Sequence, residues 1–81
     1  METRVAVISI IIENTDVVEK LNALLHNYSE FIIGRMGIPY RAKGINIISV
    51  ALDAPTDKIN SLAGELGRIQ GVSAKATYSK S

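Results

Sequence analysis

Apolar residues alternate with a period of two in some stretches of the chain and recur at helical spacing in others, and the order of these stretches sets the expected fold. Residues 4–13, RVAVISIIIE, form a β-branched run of strand length. Ala6, Ile8, Ile10 and Ile12 point to one side; Val5, Val7, Ser9 and Ile11 point to the other. Both sets are apolar, which predicts an interior strand. Asn14-Thr15-Asp16 follows, and Asp16 with Glu19 resembles a capping box. The helix it opens is expected to run to Asn27 or Tyr28, with Val17, Leu21, Leu24, Leu25 and Tyr28 as its apolar stripe.

Residues 30–36, EFIIGRM, read as a second strand, interrupted at Gly34, where a bulge or a close backbone approach is expected. Gly37 to Gly44 reads as a basic, glycine-bounded connection punctuated by Pro39. Residues 45–52, INIISVAL, form a third strand with Asn46, Ile48, Val50 and Leu52 on one side and Ile45, Ile47, Ser49 and Ala51 on the other. A second helix is expected to start around Asp53-Ala54-Pro55-Thr56-Asp57, with Thr56 as its cap. Ile59, Leu62, Ala63, Leu66 and Ile69 make its stripe. Gly64 and Gly67 within it each cost about 1 kcal/mol relative to Ala, which points to close packing against a neighbouring backbone. Gly71 is the expected C-terminal cap, and residues 72–78, VSAKATY, are the last strand.

Strand, helix, strand, strand, helix, strand is the order of a ferredoxin-like βαββαβ two-layer sandwich of the α+β class, a four-stranded antiparallel sheet with two helices on one face. Right-handed crossovers put the first and third strands at the centre. The expected organisation is one domain over residues 1–81. The helices cover only one side of the sheet. With Ala6, Ile8, Ile10, Ile12, Ile48, Val50 and Leu52 beneath them, Val5, Val7, Ile11, Ile45 and Ile47 are left as an apolar patch facing water. Either a second subunit covers that patch, giving a homodimer or homotetramer, or the connection at 37–44 folds back over it.

Composition supports assembly. A chain of 81 residues with no cysteine has no disulfide to compensate for a small core. Its aromatics are Phe31 and three tyrosines, so the core is aliphatic. Nine basic residues against eight acidic ones give a net charge of +1, which argues against direct nucleic-acid binding. The opening METRVAVISIIIENT alternates like a strand rather than a signal peptide, and no apolar run reaches the ~20 residues of a membrane span, so a cytoplasmic protein is expected.

Candidate chemistry is sparse. His26 is the one histidine, and alone it makes a poor metal ligand set. Glu13 and Asp16 close the first strand–helix junction; Asp53 and Asp57 close the second. Juxtaposed, as expected here, they would suit a hard cation or an amine, although such residues ordinarily cap helices. One histidine and no cysteine leave no nucleophile–base pair, and a non-enzymatic protein with no cofactor is expected. Arg35, Arg41 and Lys43 cluster with Tyr40 around the central connection and suit an anion or an interface.

Ile33-Gly34-Arg35-Met36-Gly37-Ile38-Pro39-Tyr40 and Leu66-Gly67-Arg68-Ile69-Gln70-Gly71-Val72-Ser73, taken with the strand order, resemble the family of iron-only hydrogenase system regulators. The resemblance spans essentially the whole chain. It implies a ferredoxin-like fold related to ACT domains and to the C-terminal domain of nickel-responsive regulators, and hence an oligomeric regulatory module that senses a small molecule or a metal. Nickel sensing does not carry over, because those regulators use several histidines and a cysteine. The first strand–helix turn, Asn14-Thr15-Asp16-Val17, lacks the glycine found there in amino-acid-binding ACT domains. No stretch of the sequence matches a DNA-binding arm. An effector site is expected between Asn14, Thr15 and Asp16 on one wall and Arg35, Arg41 and Lys43 at the connection. The rival readings are a module that docks on a protein partner without any ligand, and a small enzyme with a site between subunits.

Overall fold

The computed structural model describes residues 2–80. Its elements are β1 (Arg4–Ile12), α1 (Val18–Asn27), β2 (Ile32–Tyr40), β3 (Ile45–Ala54), α2 (Thr56–Gly67) and β4 (Val72–Tyr78), with 3-10 turns at Thr15–Val17, Ser29–Phe31 and Arg41–Lys43. The four strands form one sheet in the order β2-β3-β1-β4, with every neighbouring pair antiparallel. This is the α+β ferredoxin-like arrangement that the element order implied.

The alternation along β1 and β3 decides which side the helices cover. Ala6, Ile8, Ile10 and Ile12 from β1 are buried with Ile48, Val50, Leu52 and Ala54 from β3, each almost without exposure. Leu21 and Leu25 of α1 and Ile59, Leu62 and Leu66 of α2 close over them, joined by Ile69 beyond the helix. Each buried Val, Leu or Ile side chain among them contributes about 1.5–3 kcal/mol by leaving water. Among the described residues no polar or charged one is buried, so the core is apolar throughout.

The helix starts differ from the sequence-based expectation. Asp16 does not cap α1. Instead Asn14 accepts a hydrogen bond from the Asp16 backbone N–H through Oδ1 at 3.0 Å, and a 3-10 turn leads into the helix. An Asn side chain reaches the N–H two residues on, and that local bond competes with a capping box. Thr56 is likewise the first residue of α2 and not its cap; the preceding position is Pro55, with no side-chain hydrogen bond. Nor do Gly64 and Gly67 mark a close helix contact. A Cβ at Gly64 would meet only the Arg68 guanidinium, at 3.8 Å, and one at Gly67 would meet nothing within 4 Å.

The connection also differs. Residues 37–40 continue β2, so the hairpin is long and its loop is the three-residue turn Arg41–Lys43, closed by Gly44 in the left-handed region (φ 64°). Nothing in this loop is long enough to fold over the sheet. At Gly34 a bulge is present: Ile32 pairs with Leu52 and Gly34 with Ala51, leaving Ile33 unopposed. No backbone approaches Gly34, where a Cβ would find open space.

Gly71 follows the end of α2, which closes at Arg68, and it fixes a different contact. Its φ of 82° is left-handed, and a Cβ there would lie 2.7 Å from the Asn14 Cβ. The Glu13 N–H donates to the Gly71 carbonyl at 2.7 Å. The β1–α1 junction is thus locked to the turn that opens β4. Gly71→Ala is expected to lose about 2–4 kcal/mol of stability, from left-handed strain plus overpacking, whereas Gly44→Ala in open space is expected to lose only about 1–2 kcal/mol. Denaturant unfolding at one fixed protein concentration measures the difference, and equal losses would show that the Asn14 contact is unimportant.

Candidate functional site

Two surfaces follow from how β2 is laid against β3. The first is the side of the sheet that faces away from the helices. Cross-strand partners share a face, so Val5, Val7, Ser9 and Ile11 lie beside Ile45, Ile47, Ser49 and Ala51. The bulge then turns Met36, Ile38 and Tyr40 to this same side, opposite Ser49, Ile47 and Ile45. Met36 is 63% and Ile38 53% exposed, and Val5, Val7, Ile11, Tyr40 and Ile47 are also open to solvent. Ile45 is half-buried. Together these side chains run across β1, β3 and β2 as a contiguous apolar patch of the kind monomers rarely leave in water. Ser9 opposite Ser49, with Ala51 and Gly34 next to them, keeps its middle flat. The charges on this face are peripheral: Lys75 on edge strand β4 and Asp53 near the end of β3.

The second surface is a groove of about 250 Å³ on the helix side, between α1 and the β2–β3 hairpin. The inward positions of β2 after the bulge are Arg35, Gly37 and Pro39, none of which supplies a large apolar side chain to the core. Ile12, Val18 and Ile48 make an apolar wall, and Asn22, Arg35 and Asn46 supply polar groups. Arg35 bridges the gap from β2 to α1, its Nη2 donating to Asn22 Oδ1 at 2.9 Å.

The predicted site residues fall in separate places. Arg35 lines the groove. Arg41 and Lys43 lie in the exposed hairpin turn, and Asn14, Thr15 and Asp16 lie in the β1–α1 turn. The register of Ile12 against Asn46 puts both turns at one end of the sheet, yet Asn14 is engaged in its own turn and in the contact with Gly71. The two acidic junctions are not adjacent. Antiparallel pairing of Arg4 with Ala54 and Ile12 with Asn46 sends Glu13 and Asp16 to one end of the sheet and Asp53 and Asp57 to the other. Among the described residues no three His, Cys, Asp or Glu side chains come together. Sequence reading missed Met36, Ile38 and Tyr40 on the open face and Asn22, Gly37 and Asn46 in the groove. Carrying the period-two alternation through the bulge at Gly34 would have found most of them.

A ferredoxin-like sandwich with one apolar sheet face left open is the class of protein these features define. The chain belongs to the family described as "TM1266-like: Iron-only hydrogenase system regulator, putative", whose profile matches residues 4–76. A solved structure of the uncharacterized protein TM1266 from Thermotoga maritima is similar to it throughout, with 36% identity, a TM-score of 0.93, and coverage of 98% of this chain and 100% of that one. No curated protein matches. Among the described residues no helix is long and apolar enough to cross a membrane.

On the far side of the helix layer, the Tyr28 hydroxyl donates to Glu65 Oε1 at 2.9 Å and ties the end of α1 to α2. Burial raises the Tyr28 pKa above the ordinary tyrosine value, and the hydrogen bond and negative charge of Glu65 raise it further. The neutral phenol is therefore favoured in the folded state. Its contribution to stability is complete below the unfolded tyrosine pKa and is lost as pH rises through the higher folded value. Glu65→Gln is expected to lower the Tyr28 pKa in an ultraviolet titration, with Tyr28→Phe assigning the signal; an unmoved titration would show that Glu65 does not act on the phenol.

Proposed function

We propose that the chain is a non-enzymatic regulatory module of an iron-only hydrogenase system, that it works in the cytoplasm as a homodimer or homotetramer closed over the open sheet face, and that this assembly responds to a small effector. The observation that carries the reading is the apolar face itself. It spans β1, β3 and β2, is poor in charge at its centre, and is left uncovered by a hairpin loop of three residues. Two sheets packed face to face over such a surface bury both sets of side chains at once. The family description supplies the system in which the module acts. One histidine and no cysteine support the non-enzymatic reading.

The mechanism follows from the two surfaces. An effector that binds one arrangement of subunits more tightly than another shifts the population toward it, by no more than its difference in affinity for the two. A net charge of +1 gives no basic field for direct contact with nucleic acid, so control of expression would pass through a protein partner.

Light scattering is expected to return an oligomer at micromolar concentration. Val7→Asp, which sets a charge in the interface, and Ser49→Arg, which raises its flat middle, are each expected to give folded or partly folded monomers. A host with an iron-only hydrogenase that loses this protein should change its hydrogenase level, with rescue by the wild type and not by Ser49→Arg. A wild-type monomer, or intact assembly in both variants, would overturn the assembly; full rescue by a monomeric variant would overturn its role in regulation.

A further inference from the structure

The groove beside α1 is built by the sequence and is not a packing defect. A ferredoxin-like sheet ordinarily fills the inner side of its edge strand with aliphatic side chains. Here the bulge at Ile33 sends Met36, Ile38 and Tyr40 outward and leaves Arg35, Gly37 and Pro39 facing in. A Cβ at Gly37 would sit 3.9 Å from the Ile48 side chain, an ordinary contact, so the space above Ile48 exists because residue 37 has no side chain. Ile12 and Ile48, beneath the groove, belong to the buried core, and only Ile48 keeps a small exposed edge. Opposite them, Val18 and Asn22 come from successive turns of α1.

The chemistry of the lining is one-sided. Arg35 is the only charged residue in it, and no carboxylate lines it. The bond to Asn22 uses one of the five N–H donors of the guanidinium, and the planar fork is suited to a bidentate carboxylate. Asn22 and Asn46 add amide groups near it, and the wall beyond is aliphatic. The volume lies below the ~300–1,000 Å³ of pockets for drug-sized ligands, which calls for a small metabolite.

We infer that this groove binds a small monocarboxylate with a short branched aliphatic tail, the carboxylate on Arg35 and the tail against Val18 and the exposed edge of Ile48. An α-amino acid is disfavoured, because its ammonium would be held among neutral and cationic groups with no acidic partner. An alcohol or amide of the same shape fills the groove but leaves the guanidinium without its charge partner. The inference rests on the reading of the chain as an effector-binding module and names the class of effector.

The experiment is an amide NMR titration of the full chain with 4-methylpentanoate, with leucine and 4-methylpentan-1-ol as shape-matched controls. Saturable shifts are expected at Val18, Asn22, Gly37 and Ile48, with a dissociation constant of ~1 mM or tighter. Arg35→Gln should weaken binding about threefold to fivefold by removing the solvent-exposed charge-assisted pair. Gly37→Val should weaken it comparably by filling the groove while leaving Arg35 in place, and Arg41→Gln should leave it unchanged. Absence of saturable shifts overturns the inference. So does binding that survives both Arg35→Gln and Gly37→Val, or leucine or the alcohol binding as tightly as the acid. Light scattering on the same samples keeps the two readings apart. An oligomer blind to the carboxylate sinks this inference and leaves the assembly standing; a monomer that binds it supports the site and sinks the assembly.

Discussion

One unopposed residue, Ile33, determines both surfaces of this protein. Side chains on a strand alternate with a period of two, so a single extra residue exchanges the faces of everything beyond it. Ile32 faces the core opposite Leu52, and an unbroken strand would have placed Gly34, Met36, Ile38 and Tyr40 inward after it. With the bulge, Gly34 pairs with Ala51 and the inward set becomes Arg35, Gly37 and Pro39. The aliphatic and aromatic residues that would have completed the core become part of an exposed sheet face, and a groove opens where they would have packed. Pro39 is compatible with this strand because β2 is an edge, where a missing N–H need not pair.

The other fixed point is the contact between Gly71 and Asn14. The turn after α2 presses against the turn before α1, with the Glu13 N–H bonded to the Gly71 carbonyl. This holds the end of β1, and with it Ile12 and the approach to Val18, at one place relative to β4. The groove therefore has a rigid wall on the β1–α1 side and an edge strand on the other. Asn14 is a structural residue in this arrangement. Its Oδ1 closes the turn at Asp16 and its Cβ meets the Gly71 backbone.

Most of the fold was legible because β1 and β3 are apolar on both faces and the helices carry clear stripes. Helix over sheet, the strand order and the open-face positions Val5, Val7, Ile11 and Ile47, with half-buried Ile45 beside them, follow from periodicity alone. What periodicity does not carry is register across an irregularity. Gly34 announced a bulge, but the residues beyond it contain glycine twice and a proline, and they read as a loop rather than as strand. The capping signals at Asp16 and Thr56 were outcompeted locally, by the Asn14 side chain in one case and by Pro55 in the other. Adjacency of β1 and β3 suggests that the two acidic junctions meet, but strand direction decides which ends do. Antiparallel β1 and β3 cannot bring their C-terminal ends together.

Because the same strand serves both surfaces, they are mechanically joined. Met36 and Ile38 project to the open face from residues flanking Gly37, and Arg35 and Pro39 lie one position beyond each. A second sheet packed on the open face, as proposed, would fix the rotation and pleat of β2, and through it the separation of Arg35 and Gly37 from Val18 and Asn22. Conversely, an anion drawn onto Arg35 competes with, or reinforces, the bond from Arg35 to Asn22 that ties β2 to α1. Any such coupling is reciprocal by linkage: whatever factor the ligand adds to assembly, assembly adds to ligand affinity. An edge strand is the element able to carry it. It has one hydrogen-bonded neighbour, its inner face beyond Ile32 lacks large apolar anchors, and that part can adjust without opening the core formed by β1, β3 and the two helices.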